Sequence, residues 1–244
     1  MTIGKAFRHC LPAAFLVLSA AIFTCAQTTK TNTRPQQPAV TSALPDDLRP
    51  PADGTKYFYE FTKPEFHVRH VQIEHDSSGR GQIKFERLNE DTPVEETLTL
   101  SATARDRILG LYNSLQFLDS QVSYQAEKQF PHLGTIRIGM EQGTRKRTVE
   151  FNWSSNREAA ALANEYRKIT EQAVFIFDIS VARENQPLNA PKLLEGLESM
   201  LRRDGLSDVQ QLVPLLKEIS TDDHLPLIAR NHALRILKKI DTKK

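Results

Sequence analysis

The chain carries only two cysteines, Cys10 and Cys25, and both fall within its first 26 residues. From residue 27 onward there is no thiolate nucleophile, no disulfide framework and no cysteine metal site. Tryptophan occurs once and aromatic residues make up 7% of the chain, which argues against an aromatic-lined groove for sugars or nucleobases. An excess of charge of one sign is also missing. The formal net charge is +2 from 32 basic and 30 acidic residues. Removing residues 1–26 takes away Lys5 and Arg8 and no acid, which leaves the two signs equal. A neutral chain is a poor nucleic-acid binder, because that binding depends on a basic surface. Of long apolar runs there is one, Leu11 to Phe23, and at about thirteen residues it is too short to span a bilayer comfortably.

That run belongs to a secretory signal over residues 1–26. Lys5, Arg8 and His9 form the basic n-region, and Leu11 to Phe23 the apolar core. Cleavage after Ala26 puts Thr24 and Ala26 at the minus-three and minus-one positions and makes Gln27 the new terminus. The rival reading is a lipoprotein signal acylated at Cys25, although Phe23 and Thr24 depart from the small residues that precede such a cysteine. The expected location is secreted or periplasmic, with a membrane-anchored lipoprotein as the alternative. Contact with a membrane is expected only if Cys25 is lipidated.

Residues 27–54 follow as a disordered, proline-rich linker with Pro35, Pro38, Pro45, Pro50 and Pro51. So few large apolar side chains cannot offset the entropy of ordering them.

From residue 55 the pattern becomes strand-like. KYFYEFT (56–62) is aromatic-rich. HVRHVQIEHD (67–76) places Val71, Ile73 and His75 on one face, and QIKFERL (82–88) alternates in step with it. The glycine turn SSGRG (77–81) between them makes a β-hairpin, and VEETLTL (94–100) adds a further strand. Residues 101–115 take a helical period, with Thr103 as cap, Asp106 three residues on, and Ile108, Leu111, Tyr112 and Leu115 on one face. A second hairpin joins 133–142 to 145–153. The next helix opens on a Ser155–Glu158 capping box. Leu162, Tyr166, Ile169, Ala173, Ile176 and Ser180 make its stripe out to about Glu184, and Asn185-Gln186-Pro187 ends it. Residues 55–187 are thus an α+β domain, two hairpin-like sets each followed by a helix. Whether the two sets share one sheet is not readable from the sequence.

The remainder, 188–244, is helical. A helix over 191–203 starts at Pro191. A capping box of Ser207 and Gln210 leads a second over 212–220, and a third runs over 225–240. Its core stripe is Ile228, Ala229, Leu234, Leu237 and Ile240. The fold class expected is α+β, antiparallel hairpins with packed helices followed by a C-terminal helical hairpin unit.

The stretch from Leu212 to Ile240 resembles a HEAT repeat. It has the apolar LVPLL helix, an acidic turn at Asp222 and Asp223, and a second helix with Ile228, Arg230, Ala233 and Leu237. The resemblance implies an ion pair between Asp222 and Arg230. A solenoid needs about three stacked repeats to bury its faces, and the chain has space for one plus the 191–203 helix. The hairpin-helix part looks like secreted bacterial modules of unknown function, a likeness that brings no activity with it.

No constellation rises to a catalytic set. His67, His70 and His75 lack the i, i+2 or i, i+4 spacing of a metal site on one face, and are expected to be solvent-facing or capping. His224 and His232 are expected near the turn or on an outer face. G-x-S-x-G is absent, and the glycines at 79–81 sit in a hairpin turn where no phosphate loop forms. The basic run 145–147 reads as a solvated turn. The polar residues where the two units meet are the candidate interaction surface. There Arg183 and Asn185 end one helix and face Arg230 and His232 in the other unit. No cofactor and no metal are expected. The reading is an exported, non-catalytic module that binds an unknown protein partner of the bacterial envelope. Its alternatives are a hydrolase of unrecognised type using carboxylate and His residues of the α+β unit, with Glu60, His70 or Glu74 in its pocket, and a structural lipoprotein anchored through Cys25.

Overall fold

The computed structural model describes residues 53–242, so the expected signal, Cys25 and almost all of the linker lie outside the described residues. Six strands run over Lys56–Thr62 (β1), Val68–Asp76 (β2), Arg80–Arg87 (β3), Val94–Thr99 (β4), Thr135–Gln142 (β5) and Arg145–Phe151 (β6). They form one antiparallel sheet in the order β4-β3-β2-β1-β5-β6. The aromatic strand β1 joins the two hairpins, pairing with β2 on one side and β5 on the other. The edge strands carry charge, Glu95 and Glu96 on β4 and Arg145 to Arg147 on β6, which discourages pairing between like edges.

Period-two alternation sends Tyr57, Tyr59, Val71, Ile73, Ile83, Phe85 and Ile138 to one face, where all are buried. The helices Ala102–Ser114 (α1) and Arg157–Asn185 (α2) cover that face. His75 lies on it too, 1% exposed, so the expectation of a solvent-facing or capping histidine fails there. It shares a strand face with Val71 and Ile73, and its ring reaches Tyr166 of α2. Gly81 stands opposite His75, and a Cβ there would come within 1.9 Å of the Glu74 carbonyl oxygen.

The cap residues differ from those expected, each by a residue or two. Ser101 in place of Thr103 accepts from the Ala104 N–H. Asn156, one residue after Ser155, accepts from the Ala159 N–H. Asp208 rather than Ser207 accepts from the Gln210 N–H. In each place several neighbouring residues have capping side chains, and the chain direction entering the helix selects among them.

Three more helices follow, Ala190–Arg202 (α3), Val213–Thr221 (α4) and Leu227–Asp241 (α5). The result is a mixed α+β fold whose C-terminal helices pack as a hairpin-like unit. These helices close a second core of Leu194, Leu197, Leu212, Leu215, Leu216, Ile219, Ala229, Ala233 and Ile236. The helix α2 serves both cores. Ala159, Leu162, Tyr166 and Ile169 enter the sheet core, while Phe175 and Ile179 enter the helical one. Between them Ala173, Val174 and Phe177 lean on the first core and Ile176 on the second. Its apolar residues are shared between two packing directions, while Ala160, Arg167 and Val181 stay exposed. This displaces the expected stripe, whose later members Ala173, Ile176 and Ser180 are only half-buried; Phe175, Ile179 and Ala182 take the buried positions.

Candidate functional site

The face of the sheet away from the helices is open and polar. Register aligns Glu95, Lys84, Gln72, Glu60, Arg137 and Glu150 in one row across all six strands. The next row runs Thr97, Gln82, Glu74, Phe58, Gly139 and Thr148. All of these residues except Glu150 and Thr97 line a shallow trough of about 450 Å³. Phe58 is its apolar centre, beside the side-chain-free Gly139.

His70 points to this face, as its alternation with His75 requires. Its Nε2 lies 2.9 Å from Glu60 and its Nδ1 3.3 Å from Glu86. The second oxygen of Glu60 accepts from Arg137 at 2.6 Å, and Arg137 also donates to Glu150 at 2.8 Å. Burial acts to raise the Glu60 carboxyl. Hydrogen bonds from His70 and the charge of Arg137 outweigh it and hold the group below its ordinary range. Both oxygens of Glu60 are engaged and its basicity is reduced, which makes it a weak general base. Partly buried positive and negative groups are matched across this face. His67 lies outside the strand and is exposed. Among the described residues no group of three or more His, Cys, Asp or Glu side chains is placed to share a metal ion.

The basic run on β6 divides three ways. Arg145 pairs with Asp119 and Lys146 with Glu141. Arg147 is not a solvated turn residue. Its guanidinium lies against Phe117 and Tyr124 and donates to the Phe117 and Val122 carbonyls, pinning the loop that follows α1.

The four residues expected where the two units meet do not converge on one point. Arg183, near the end of α2, donates to Asp222 at 2.9 Å and Glu218 at 3.1 Å. Arg230 donates to Asp223 at 2.7 Å. The pair expected between Asp222 and Arg230 is therefore replaced by two pairs on adjacent acids, because Arg183 reaches Asp222 first from the neighbouring helix. Burial acts to raise the Asp222 carboxyl, but hydrogen bonds from Arg183 and the His224 N–H prevail and lower it. Asn185 is exposed and donates weakly to Val181 of its own helix. His232 is buried and meets Glu198 of α3 at 2.9 Å, so it is not on an outer face. Its helix phase is that of Ala229, Ala233 and Ile236, which turns it inward. Hydrogen bonds from Lys239 and then His232 hold the Glu198 carboxyl down to about 2. His224 stays exposed on the turn.

The outer face of α5 is not legible as such in the sequence. Leu227 and Ile228 are 62% and 63% exposed and Leu234 is 44% exposed, although Ile228 and Leu234 are expected in the core stripe. The buried stripe is Ala229, His232, Ala233, Ile236 and Ile240. Apolar residues occur on both sides of α5, so two stripes fit the period and only packing chooses between them. The one signal of it is the excess: more apolar side chains than one face accommodates.

Comparison with protein-family models and with curated proteins finds no match. No helix among the described residues is long and apolar enough to cross a membrane.

Proposed function

We propose that the protein is an exported, non-catalytic binding module of the bacterial envelope, carried on a proline-rich tether. Its helical unit, the HEAT-like part of the chain, engages a protein partner. The observation that carries this reading is the outer face of α5, where Leu227, Ile228 and Leu234 stand exposed on one side of a helix. Isolated exposed apolar residues are ordinary, but three gathered on one helix face form a patch of the kind that partners cover.

The test is a crosslinked pull-down from the native envelope. The wild-type full chain is compared with the double variant Leu227→Asp/Leu234→Asp. A partner retained by the wild type and lost by the variant supports the reading. Equal recovery by both chains, or none by either, removes it.

The hydrolase reading has one observation in its favour, the grouping of Glu60, His70 and Glu86 on the open face, with Glu60 and Glu74 lining the trough. The engagement of those groups with each other and with Arg137 weighs against it. A structural lipoprotein is the third reading, and unchanged membrane fractionation of a Cys25→Ser chain would exclude it.

A further inference from the structure

The exposed residues of α5 are ordered along its length. At about 100° per residue, Leu227, Ile228, Asn231, Leu234, Arg235 and Lys238 fall within an arc of about 120°, and all six are exposed. The apolar three occupy the first two turns. Arg235 and Lys238 occupy the last two, and no ion pair joins either to an acid among the described residues. The neighbouring Lys239 is different, because Glu198 already neutralises it. Asp241 stands at the helix end, about 20° outside this arc and three residues after Lys238.

The geometry points to an amphipathic helix with acidic residues as the occupant of this face, lying antiparallel to α5. This inference rests on the binding-module reading and names the partner's chemistry. Three arguments select that occupant. A parallel second copy sets Arg235 and Lys238 against the same two cations, and an antiparallel one sets them against the apolar first turn of α5, so neither supplies acids to them. The apolar residues recur at i and i+7 with Ile228 beside them, the ridge that a second helix packs against. The order along the ridge sets direction. In an antiparallel partner, acids opposite Arg235 and Lys238 fall in its first turns, where the helix dipole also favours them. A parallel partner would need those acids at its C-terminal end, where the dipole opposes them.

The experiment uses the full chain and two fluorescent, acetylated peptides of about 18 residues, long enough to hold a helix. One has Glu in its first two turns and Leu at i, i+3 and i+7 thereafter, and the other has Lys in place of Glu. Fluorescence anisotropy should show micromolar binding of the Glu peptide, weakening by about tenfold between about 50 mM and about 500 mM salt as screening increases. The double variant Arg235→Glu/Lys238→Glu should lose the Glu peptide by about tenfold and gain the Lys peptide, a swap that a folding defect does not produce. Equal binding of both peptides by the wild type, abolished by Leu227→Asp/Leu234→Asp, would overturn the acidic partner while leaving the binding module in place. Binding of neither peptide overturns the inference. Recruitment to anionic phospholipid vesicles in that case assigns the face to a lipid surface, and its absence removes α5 as a docking face altogether.

Discussion

The Nε2 atom of His75 lies 2.9 Å from the hydroxyl of Tyr166, and the neighbouring groups fix which one donates. Nδ1 is 2.8 Å from the Asp76 carbonyl oxygen, which accepts only, so Nδ1 carries the hydrogen. Nε2 therefore accepts from Tyr166. Tyr112 approaches Tyr166 at 3.4 Å and donates to the Gly139 carbonyl at 3.1 Å. Tyr57 stacks on His75 and Tyr59 on Tyr166, closing an apolar jacket around a polar chain. Burial pushes the hydroxyls of Tyr112 and Tyr166 well above the ordinary tyrosine range.

Burial also lowers the pKa of His75, against smaller opposing contributions from the Asp76 carbonyl and carboxylate. Below about pH 6.5 the unfolded chain protonates this histidine and the folded chain resists. The unfolded state then binds more protons, so stability falls with pH from about 6.5 downward, at up to about 1.4 kcal/mol per unit. It is flat with respect to this group above that. Urea midpoints measured from pH 8 to pH 5 should show the slope, with the decline below pH 6.5 much reduced in His75→Gln. Carboxylates add their own slope at lower pH, so the difference between the two chains is the measurement.

Glycine substitutions should separate by sign. Gly81→Ala places a Cβ on the Glu74 backbone and should cost about 3 kcal/mol or more, since a strand must shift. Gly110 in α1 and Gly196 in α3 have open space around an added Cβ. Alanine there should stabilise by about 0.5–1 kcal/mol, by lowering the entropy of the unfolded chain and favouring helix. Thermal melts of the three variants give the order directly.

Adjacent acids should behave differently. The Asp222 side chain is 13% exposed and that of Asp223 is 91% exposed. Asp222→Ala removes the acceptor of Arg183 and the His224 N–H, for an expected loss of about 1–3 kcal/mol. Asp223→Ala breaks only a pair with an exposed acid and should stay within about 0.5 kcal/mol. The folded pKa of Asp222 is depressed, so its contribution is present above the ordinary carboxylate range and fades as pH falls through the folded value. The Asp222→Ala penalty should shrink accordingly in acid.

On α5, Ile236→Ala opens a cavity in the helical core and should cost about 2–5 kcal/mol. Ile228→Asp lies in the exposed first turn, where the helix dipole favours an acid, and should change stability by less than about 0.5 kcal/mol. Chemical denaturation distinguishes these outcomes cleanly. A large loss at Ile228 would restore the stripe expected from the sequence.

Strand identity is readable in the sequence because each hairpin has one buried face, and alternation marks it, as Val71, Ile73 and His75 do in β2. The joining of the hairpins is not readable, because β1 alternates equally well against either neighbour. Its pairing with β5 spans an interval of about seventy residues that leaves no local trace. The stripes of α2 and α5 fail for a common reason. Each helix has apolar residues on more than one face, α2 because two cores claim it and α5 because part of its surface is bare. Arg183 and Arg230 are recognisable as partners for acids at the turn, but Asp222 and Asp223 are adjacent and only the packing that brings the end of α2 to the end of α4 decides the assignment.

A helix of 29 residues extends about 43 Å at about 1.5 Å per residue, and α2 runs that length without a proline or glycine to act as a hinge. It is the strut of the molecule. The C-terminal segment is tied to the rest of the molecule along this rod and also directly, Gln211 donating to the Thr99 carbonyl and Arg107 to the Ser207 carbonyl. Melting the segment from Ala173 to Phe177 would loosen both cores together, because its side chains lean on each of them.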